Sequence, residues 1–155
     1  MIKEEVSKKY KSIFVEEFEA SSVEEAIKLA VNSLKMTKDE LKIKVLFEGY
    51  KGLFGLKGSK PAKIKVFPNF DKIENIIKFY LIKLLDFVKE NILLVDVNIK
   101  DETIDVVIIF NNKEILKFVS SQEIYDALCT LFEAFLKRIS LLEYKFRITL
   151  KSSAV

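Results

Sequence analysis

The 155-residue chain contains no histidine and a single cysteine, Cys129. An intrachain disulfide and a zinc site built from Cys and His are therefore excluded. No imidazole can serve as a general base for Ser120, Ser121 or Cys129, and a nucleophilic triad needs such a partner. We predict a non-catalytic protein without metal or cofactor, in which Cys129 is a small core residue rather than a redox centre.

Long apolar runs are also missing. No segment approaches the roughly 18 apolar residues of a membrane-spanning helix, and residues 1–11 lack the apolar core of a signal peptide. Half of the residues are nonetheless hydrophobic and 32% are charged, which predicts a folded chain. We expect a soluble, cytoplasmic protein.

The positive charge lies in the N-terminal half. Residues 1–70 carry 14 Lys/Arg against 10 Asp/Glu, a net charge of +4, whereas residues 71–155 carry 12 against 13, a net charge of −1. Any electrostatic attraction to nucleic acid should therefore come from the first half of the chain.

Alternation and capping signals in the N-terminal half predict the order strand, helix, strand, strand. Ser22 and Glu25 form a capping-box pattern before a helical apolar periodicity, and Thr37 with Glu40 repeats it. The predicted strands are residues 12–20, 41–47 and 62–67. In the last two, one face is apolar and the other largely basic.

The C-terminal half predicts the order helix, strand, strand, helix, helix, strand. Pro68-Asn69 marks the boundary, since proline ends strand pairing and Asp71 can cap the next helix. The predicted domains are thus 1–68, with a core at about 12–67, and 69–155. Their elements after the boundary are helix 71–91, strands 92–99 and 104–110, helices 112–118 and 123–139, and strand 144–150. The fold class is α+β.

A glycine-rich loop joins the second and third strands, and it is similar to the Lys-Gly-Leu-Phe-Gly-x-x-Gly signature of Jag N-terminal modules. The matching residues are Lys51, Gly52, Leu53, Phe54, Gly55 and Gly58. The upstream segment 23–27 also resembles that family. The loop is no phosphate loop, because it lacks the Gly-Lys-Ser/Thr ending. Leu53 and Phe54 either fold back as a lid on the core or dock a partner.

The second half resembles a type II KH domain, which follows the Jag module in this family. The triplet Asp126-Ala127-Leu128 places the family's Gly-x-x-Gly turn on Val119, Ser120, Ser121 and Gln122. Neither glycine is present, so the close approach of backbone to phosphate that this turn allows is in doubt. Tyr144 and Phe146 could form a stacking platform, although their phase matches a strand core.

The resemblance implies an RNA-associated regulator of bacterial cell elongation and division, encoded beside the SpoIIIJ/YidC membrane insertase and paired with a small KH-only protein. The arginine/histidine signature of the family's C-terminal domain is not in this sequence, which has no histidine, so either the chain is a piece of a longer protein or its lineage has lost that domain. The alternative is a protein-interaction scaffold whose KH domain dimerises without binding RNA. If RNA is bound, the expected contacts are Lys42, Lys44, Lys51, Lys57, Lys60, Lys63 and Lys65, with Lys113 and Lys117 near the turn.

Overall fold

A computed structural model describes residue 8 and residues 13–50, 59–141 and 143–153. The chain divides into two compact units between Tyr80 and Leu81. The fold is α+β, as predicted. The predicted domain limits, 1–68 and 69–155, stay a prediction, because packing alone does not show which segment folds by itself.

The N-terminal unit contains the predicted strand, helix, strand, strand order. Strand β1 spans Glu16–Ala20, helix α1 Val23–Leu34, strand β2 Leu41–Phe47 and strand β3 Ala62–Pro68, with a 3-10 turn at Lys38–Glu40 before β2. The three strands form an antiparallel sheet in the order β1-β3-β2. Strand β3 is therefore central, and among the described residues β1 and β2 are the outer strands of this sheet.

Alternation along β3 assigns the two faces of this sheet. Ala62, Ile64 and Val66 are completely buried, whereas the residues between them are half-buried. Helix α1 buries Ala26, Ala30 and Leu34, and burial of an aliphatic side chain contributes roughly 1.5–3 kcal/mol. The core of this unit therefore lies on the α1 side, and the lysine-bearing side of β3 is its solvent face.

The predicted capping signals are confirmed. The Ser22 side chain accepts a hydrogen bond from the Glu25 amide at 3.2 Å and starts α1. The Glu40 carboxylate accepts a hydrogen bond from the Thr37 amide at 2.9 Å. These bonds satisfy backbone donors that lack an intrahelical partner.

The second half of the chain follows the predicted order, with a shorter first helix that begins in the N-terminal unit and ends in the C-terminal unit. Helix α2 spans Ile73–Leu84, and the segment predicted to continue it is a 3-10 helix at Asp86–Asn91. Strand β4 spans Ile92–Lys100 and strand β5 spans Thr103–Phe110. Helix α3 at Lys113–Val119, helix α4 at Gln122–Arg138 and strand β6 at Lys145–Ser152 follow. The sheet order is β4-β5-β6, with β4 antiparallel and β6 parallel to β5.

Helix α4 packs through Leu128, Phe132, Phe135 and Leu136, all of them buried. The spacing of Ile124, Leu128, Leu131 and Phe135 in the sequence predicts that Leu131 shares this face, but Leu131 is 47% exposed. Phe146 of β6 contacts Phe132 edge-on with 5.0 Å between ring centroids. This packing favours the interpretation of Phe146 as a core residue over that of a stacking platform. Among the described residues, no helix is long and apolar enough to cross a membrane.

Candidate nucleic-acid interface

The solvent face of the N-terminal sheet gathers lysines from two strands. The register places Lys44 of β2 opposite Lys65 of β3, and Lys42 opposite Phe67. Directly opposite residues of an antiparallel pair share one face. Lys42, Lys44, Lys65 and Phe67 therefore lie side by side, and we name these four residues the basic sheet face.

Acidic residues of β1 neutralise Lys63, which lies on the same side of the sheet but outside the basic sheet face. Lys63 forms ion pairs with Glu17 at 3.4 Å and with Glu19 at 3.6 Å. Within the described part of the chain, no carboxylate lies within ion-pair distance of Lys42, Lys44 or Lys65, although Glu17 is the cross-strand neighbour of Lys65 on β1. The net positive potential of the sheet is thus concentrated on the β2 side, and Lys63 contributes less than the sequence suggested.

A shift in the strand register alters the far end of β2. Val45 pairs with Ile64, but Phe47 pairs with Lys63, so an extra residue is inserted at Leu46. The sequence pattern assigned Phe47 to the apolar face with Val45. The structure instead places it opposite Lys63, 41% exposed, with its ring 6.0 Å from that of Tyr50.

A groove of about 370 Å³ opens where the basic sheet face meets the chain after β3. Its lining consists of Lys42, Ile43 and Lys44 of β2, Phe67 of β3, and Asn69, Phe70 and Asp71 of the segment that follows β3. The groove combines cations, aromatic rings and one carboxylate. Such a combination suits a nucleotide, which offers a phosphate, a flat ring and polar base edges.

Asn69 holds the segment after β3 that lines the groove. The side-chain nitrogen of Asn69 donates a hydrogen bond to the Asp39 carbonyl at 3.3 Å, and its side-chain oxygen accepts one from the backbone amide of Asp71 at 3.1 Å. Phe70 packs edge-on against the buried ring of Phe14, with 6.2 Å between centroids. These contacts order the segment after β3 that lines the groove. The predicted role of Asp71 as a helix cap is a separate matter: α2 begins two residues after Asp71, at Ile73.

A partly buried ion pair supports the same region. Lys78 of α2 donates to the Glu40 carboxylate, which also accepts the hydrogen bond from Thr37. Burial alone raises the pKa of Glu40, but the bonds from Lys78 and Thr37 outweigh it and hold the pKa below its ordinary value of 4.5. Glu40 is therefore ionised at neutral pH. Its backbone carbonyl also accepts a hydrogen bond from the backbone amide of Asn69 at 2.8 Å, which links this ion pair to the groove.

The ends of the glycine-rich loop are described, and they form a paired hairpin stem. The amides of Tyr50 and Lys60 donate to each other's carbonyls at 3.0 and 2.9 Å, and Lys60 is exposed. The predicted motif residues Lys51, Gly52, Leu53, Phe54, Gly55 and Gly58, together with Lys57, lie outside the described residues. The choice between lid and docking loop stays a prediction.

The turn at residues 119–122, which the resemblance to KH domains predicts to stand in place of Gly-x-x-Gly, connects α3 to α4 with conventional backbone geometry. Val119 is buried, Ser120 and Ser121 are exposed, and Gln122 is the first residue of α4. None of these four residues has a positive φ. Lys113 and Lys117 are exposed on α3, but Glu123 and Asp126 stand on the first turns of α4. The turn therefore has no glycine-like backbone conformation, and the exposed side chains near it carry both positive and negative charge.

Cys129 is half-buried, and burial is the first reason why its pKa is raised. A raised thiol pKa disfavours the reactive thiolate. In the described segments, no three acidic or cysteine side chains come together as a metal site.

Comparison with known proteins assigns the N-terminal part of the chain. The family profile of the Jag N-terminus matches residues 18–68. A 60-residue segment is 40% identical to the RNA-binding protein KhpB of Bacillus subtilis (strain 168) and covers 39% of this chain and 28% of that protein. The resemblance seen in the glycine-rich loop and in segment 23–27 is thereby confirmed. Residues 18–68 are thus similar to the Jag N-terminus, and the matched segment spans little more than a quarter of the length of the curated relative.

Proposed function

We propose that this protein is a non-catalytic, RNA-binding regulator that contacts RNA through the basic sheet face of its Jag module. The observation that carries the proposal is the juxtaposition of Lys42, Lys44 and Lys65, none of them paired with a described carboxylate. The family relative KhpB is named as an RNA-binding protein. By resemblance to that family, the regulated process is bacterial cell elongation and division, and the protein acts in the cytoplasm.

Lysines on this face are spaced to follow a polynucleotide backbone. Lys42 and Lys44 are two residues apart on one strand, which separates their Cα atoms by about 6.8 Å, and Lys65 lies on the neighbouring strand, about 4.8 Å away in backbone spacing. Successive phosphates of an extended single strand can match such separations. Neutralising these phosphates releases condensed counterions, which supplies most of the sequence-independent affinity.

The degenerate KH turn has a secondary role in this proposal. Lys113 and Lys117 are four residues apart on α3 and therefore share one helix face. They add positive charge next to the turn, but the acidic side chains around it offset much of that charge. We propose that RNA contacts on the C-terminal unit are weaker than those on the basic sheet face.

A salt titration tests the proposal. Binding of a fluorescent single-stranded RNA is measured by anisotropy between 50 mM and 500 mM salt for the wild type and for K42Q/K44Q/K65Q. A control variant, K28Q/K100Q/K137Q, changes the net charge equally at exposed lysines that are not on this face. Each lost phosphate contact lowers the salt slope by about 0.7 for a single strand, so the first variant should lose about 2 in slope. At 0.15 M salt its affinity should fall roughly 50-fold.

Equal losses for the two variants would contradict the proposal, because the binding would then depend on net charge alone. Unchanged binding in K42Q/K44Q/K65Q would show that RNA contacts another surface. Thermal unfolding of each variant checks that the fold is preserved.

A second candidate function, a dimerising scaffold, has one structural observation in its favour. Phe87 and Phe118 are 61% and 51% exposed, and their rings contact edge-on at 6.4 Å. Phe118 directly precedes the degenerate turn. Exposed aromatic pairs favour protein contact. If this surface joins two copies of the chain, F87S/F118S should be monomeric in light scattering at concentrations where the wild type is dimeric.

A further inference from the structure

The groove beside the basic sheet face is lined by aromatic and acidic side chains, which phosphate binding alone does not require. Two phenylalanine rings and an acceptor-only carboxylate line it. We propose that the groove binds a single guanine base of single-stranded RNA, stacked on Phe67 or Phe70 and held at its edge by Asp71. This inference rests on the proposed function, and it specifies which RNA the site prefers.

The aromatic side chains are held in place before any ligand binds. Phe67 is half-buried on β3 opposite Lys42, and Phe70 leans on the buried ring of Phe14. A fixed ring loses little conformational entropy when a base stacks on it. Stacking on an aromatic side chain strengthens binding by roughly 5- to 150-fold per base and tolerates any base.

Asp71 supplies the selectivity. A carboxylate repels phosphate, so within a basic groove it marks the position of a base rather than of the backbone. The Asp71 side chain has no hydrogen-bond or ion-pair partner among the described residues, whereas its amide is held by Asn69. Its two oxygens are therefore available to donors of a ligand.

Guanine matches this acceptor better than the other bases. Its Watson–Crick edge presents an imino N–H and an amino group side by side, which two carboxylate oxygens can accept together. Uracil presents one N–H between two carbonyl oxygens, which the carboxylate repels. Cytosine and adenine present an amino group next to a ring acceptor, so only one bond forms.

The same geometry requires a single strand. A base reaches Phe67 and Asp71 only if it is unstacked and unpaired, whereas a duplex keeps its Watson–Crick edges occupied. The flanking phosphates then lie along Lys42, Lys44 and Lys65. We therefore expect weak binding of an RNA duplex with the same guanine content.

The test compares two octamers, one of uridines alone and one with a single central guanosine, by anisotropy at 0.15 M salt. A good bidentate base contact discriminates by roughly 5- to 150-fold, so the wild type should prefer the guanosine octamer at least fivefold. D71N should reduce this preference to less than twofold while binding the uridine octamer at least as well as the wild type. Phe67→Leu and Phe70→Leu keep apolar volume and should weaken binding of both octamers. D96N, at an exposed aspartate of β4, is the matched control and should behave as the wild type.

Each other outcome overturns a distinct statement. Equal, salt-sensitive binding of both octamers would refute guanine recognition and leave the proposed function standing. A guanosine preference that survives in D71N would refute the role of Asp71. Absence of binding to either octamer would refute both the inference and the proposed function.

Discussion

Replacing Gly49 by alanine should destabilise the N-terminal unit strongly, because the backbone at this position has no room for a Cβ atom. Gly49 has a φ of +79°. A Cβ built there would lie 2.7 Å from the Ala62 nitrogen and 3.1 Å from both the Ala62 Cα and the Lys60 carbonyl oxygen. These are backbone atoms of the hairpin that holds the glycine-rich loop, and they cannot rotate away.

The expected magnitude has two parts. An L-residue in the left-handed region costs about 1–2 kcal/mol, and forcing an extra carbon into a packed site costs about 1–3 kcal/mol. Gly49→Ala should therefore lose about 2–5 kcal/mol from the free energy of unfolding, a large share of the 5–15 kcal/mol that is typical of a domain.

Urea denaturation followed by circular dichroism measures the loss, and hydrogen exchange at the β3 amides assigns it to the N-terminal unit. Glu48→Ala is the control, since Glu48 precedes Gly49 and is exposed. Its effect should stay below about 0.5 kcal/mol. A loss in Gly49→Ala no larger than in this control would refute the reasoning from backbone geometry.

Two further predictions concern charge and turn geometry. The folded-state pKa of Glu40 is lowered, so its stabilising contribution is present above the unfolded pKa of about 4.5 and is lost as pH falls through the folded value. The difference in unfolding free energy between wild type and E40Q should shrink below that pH in urea titrations; a constant difference would exclude the Lys78 and Thr37 bonds as its source. Asp101 and Glu102 form the β4–β5 turn at φ of 48° and 61°. Glu102→Gly should raise stability by about 0.5–1 kcal/mol, because glycine adopts this turn without strain. A melting temperature that falls instead would contradict this explanation.

Local signals in the sequence predicted much of the fold. The Ser22 and Thr37 caps lie where their patterns placed them, and β2 has the predicted limits at Leu41 and Phe47. The alternation of buried and half-buried residues along β3 also follows the sequence. These features depend on neighbours within a few residues, which is why a single sequence reveals them.

Features set by tertiary packing were harder to predict. The first helix of the C-terminal half ends at Leu84 and is followed by a 3-10 segment. This end was not predictable, because the apolar stripe continues past it and no glycine or proline marks it. The core face of α4 passes through Phe132 rather than Leu131, a difference of one residue within one helical turn. Neither choice is fixed by periodicity alone.

The candidate site was only partly predictable. The lysines of β2 and β3 follow from alternation, but the pairing of Lys63 with Glu17 and Glu19 requires the strand order β1-β3-β2. Phe67 alternates in phase with Lys63 and Lys65, so the sequence contained a signal for its position on the basic sheet face. The groove itself depends on the turn that Asn69 fixes, which no local pattern indicated.

Mapping the RNA contact on the protein tests most directly whether the basic sheet face is the binding surface. Backbone amide resonances of the full chain are followed by NMR during titration with a short single-stranded RNA at 0.1 M salt. We expect the largest shifts at residues 42–44, 65–67 and 69–71. Shifts confined to residues 113–123, with the N-terminal sheet unaffected, would contradict the proposed surface and assign RNA binding to the turn at residues 119–122.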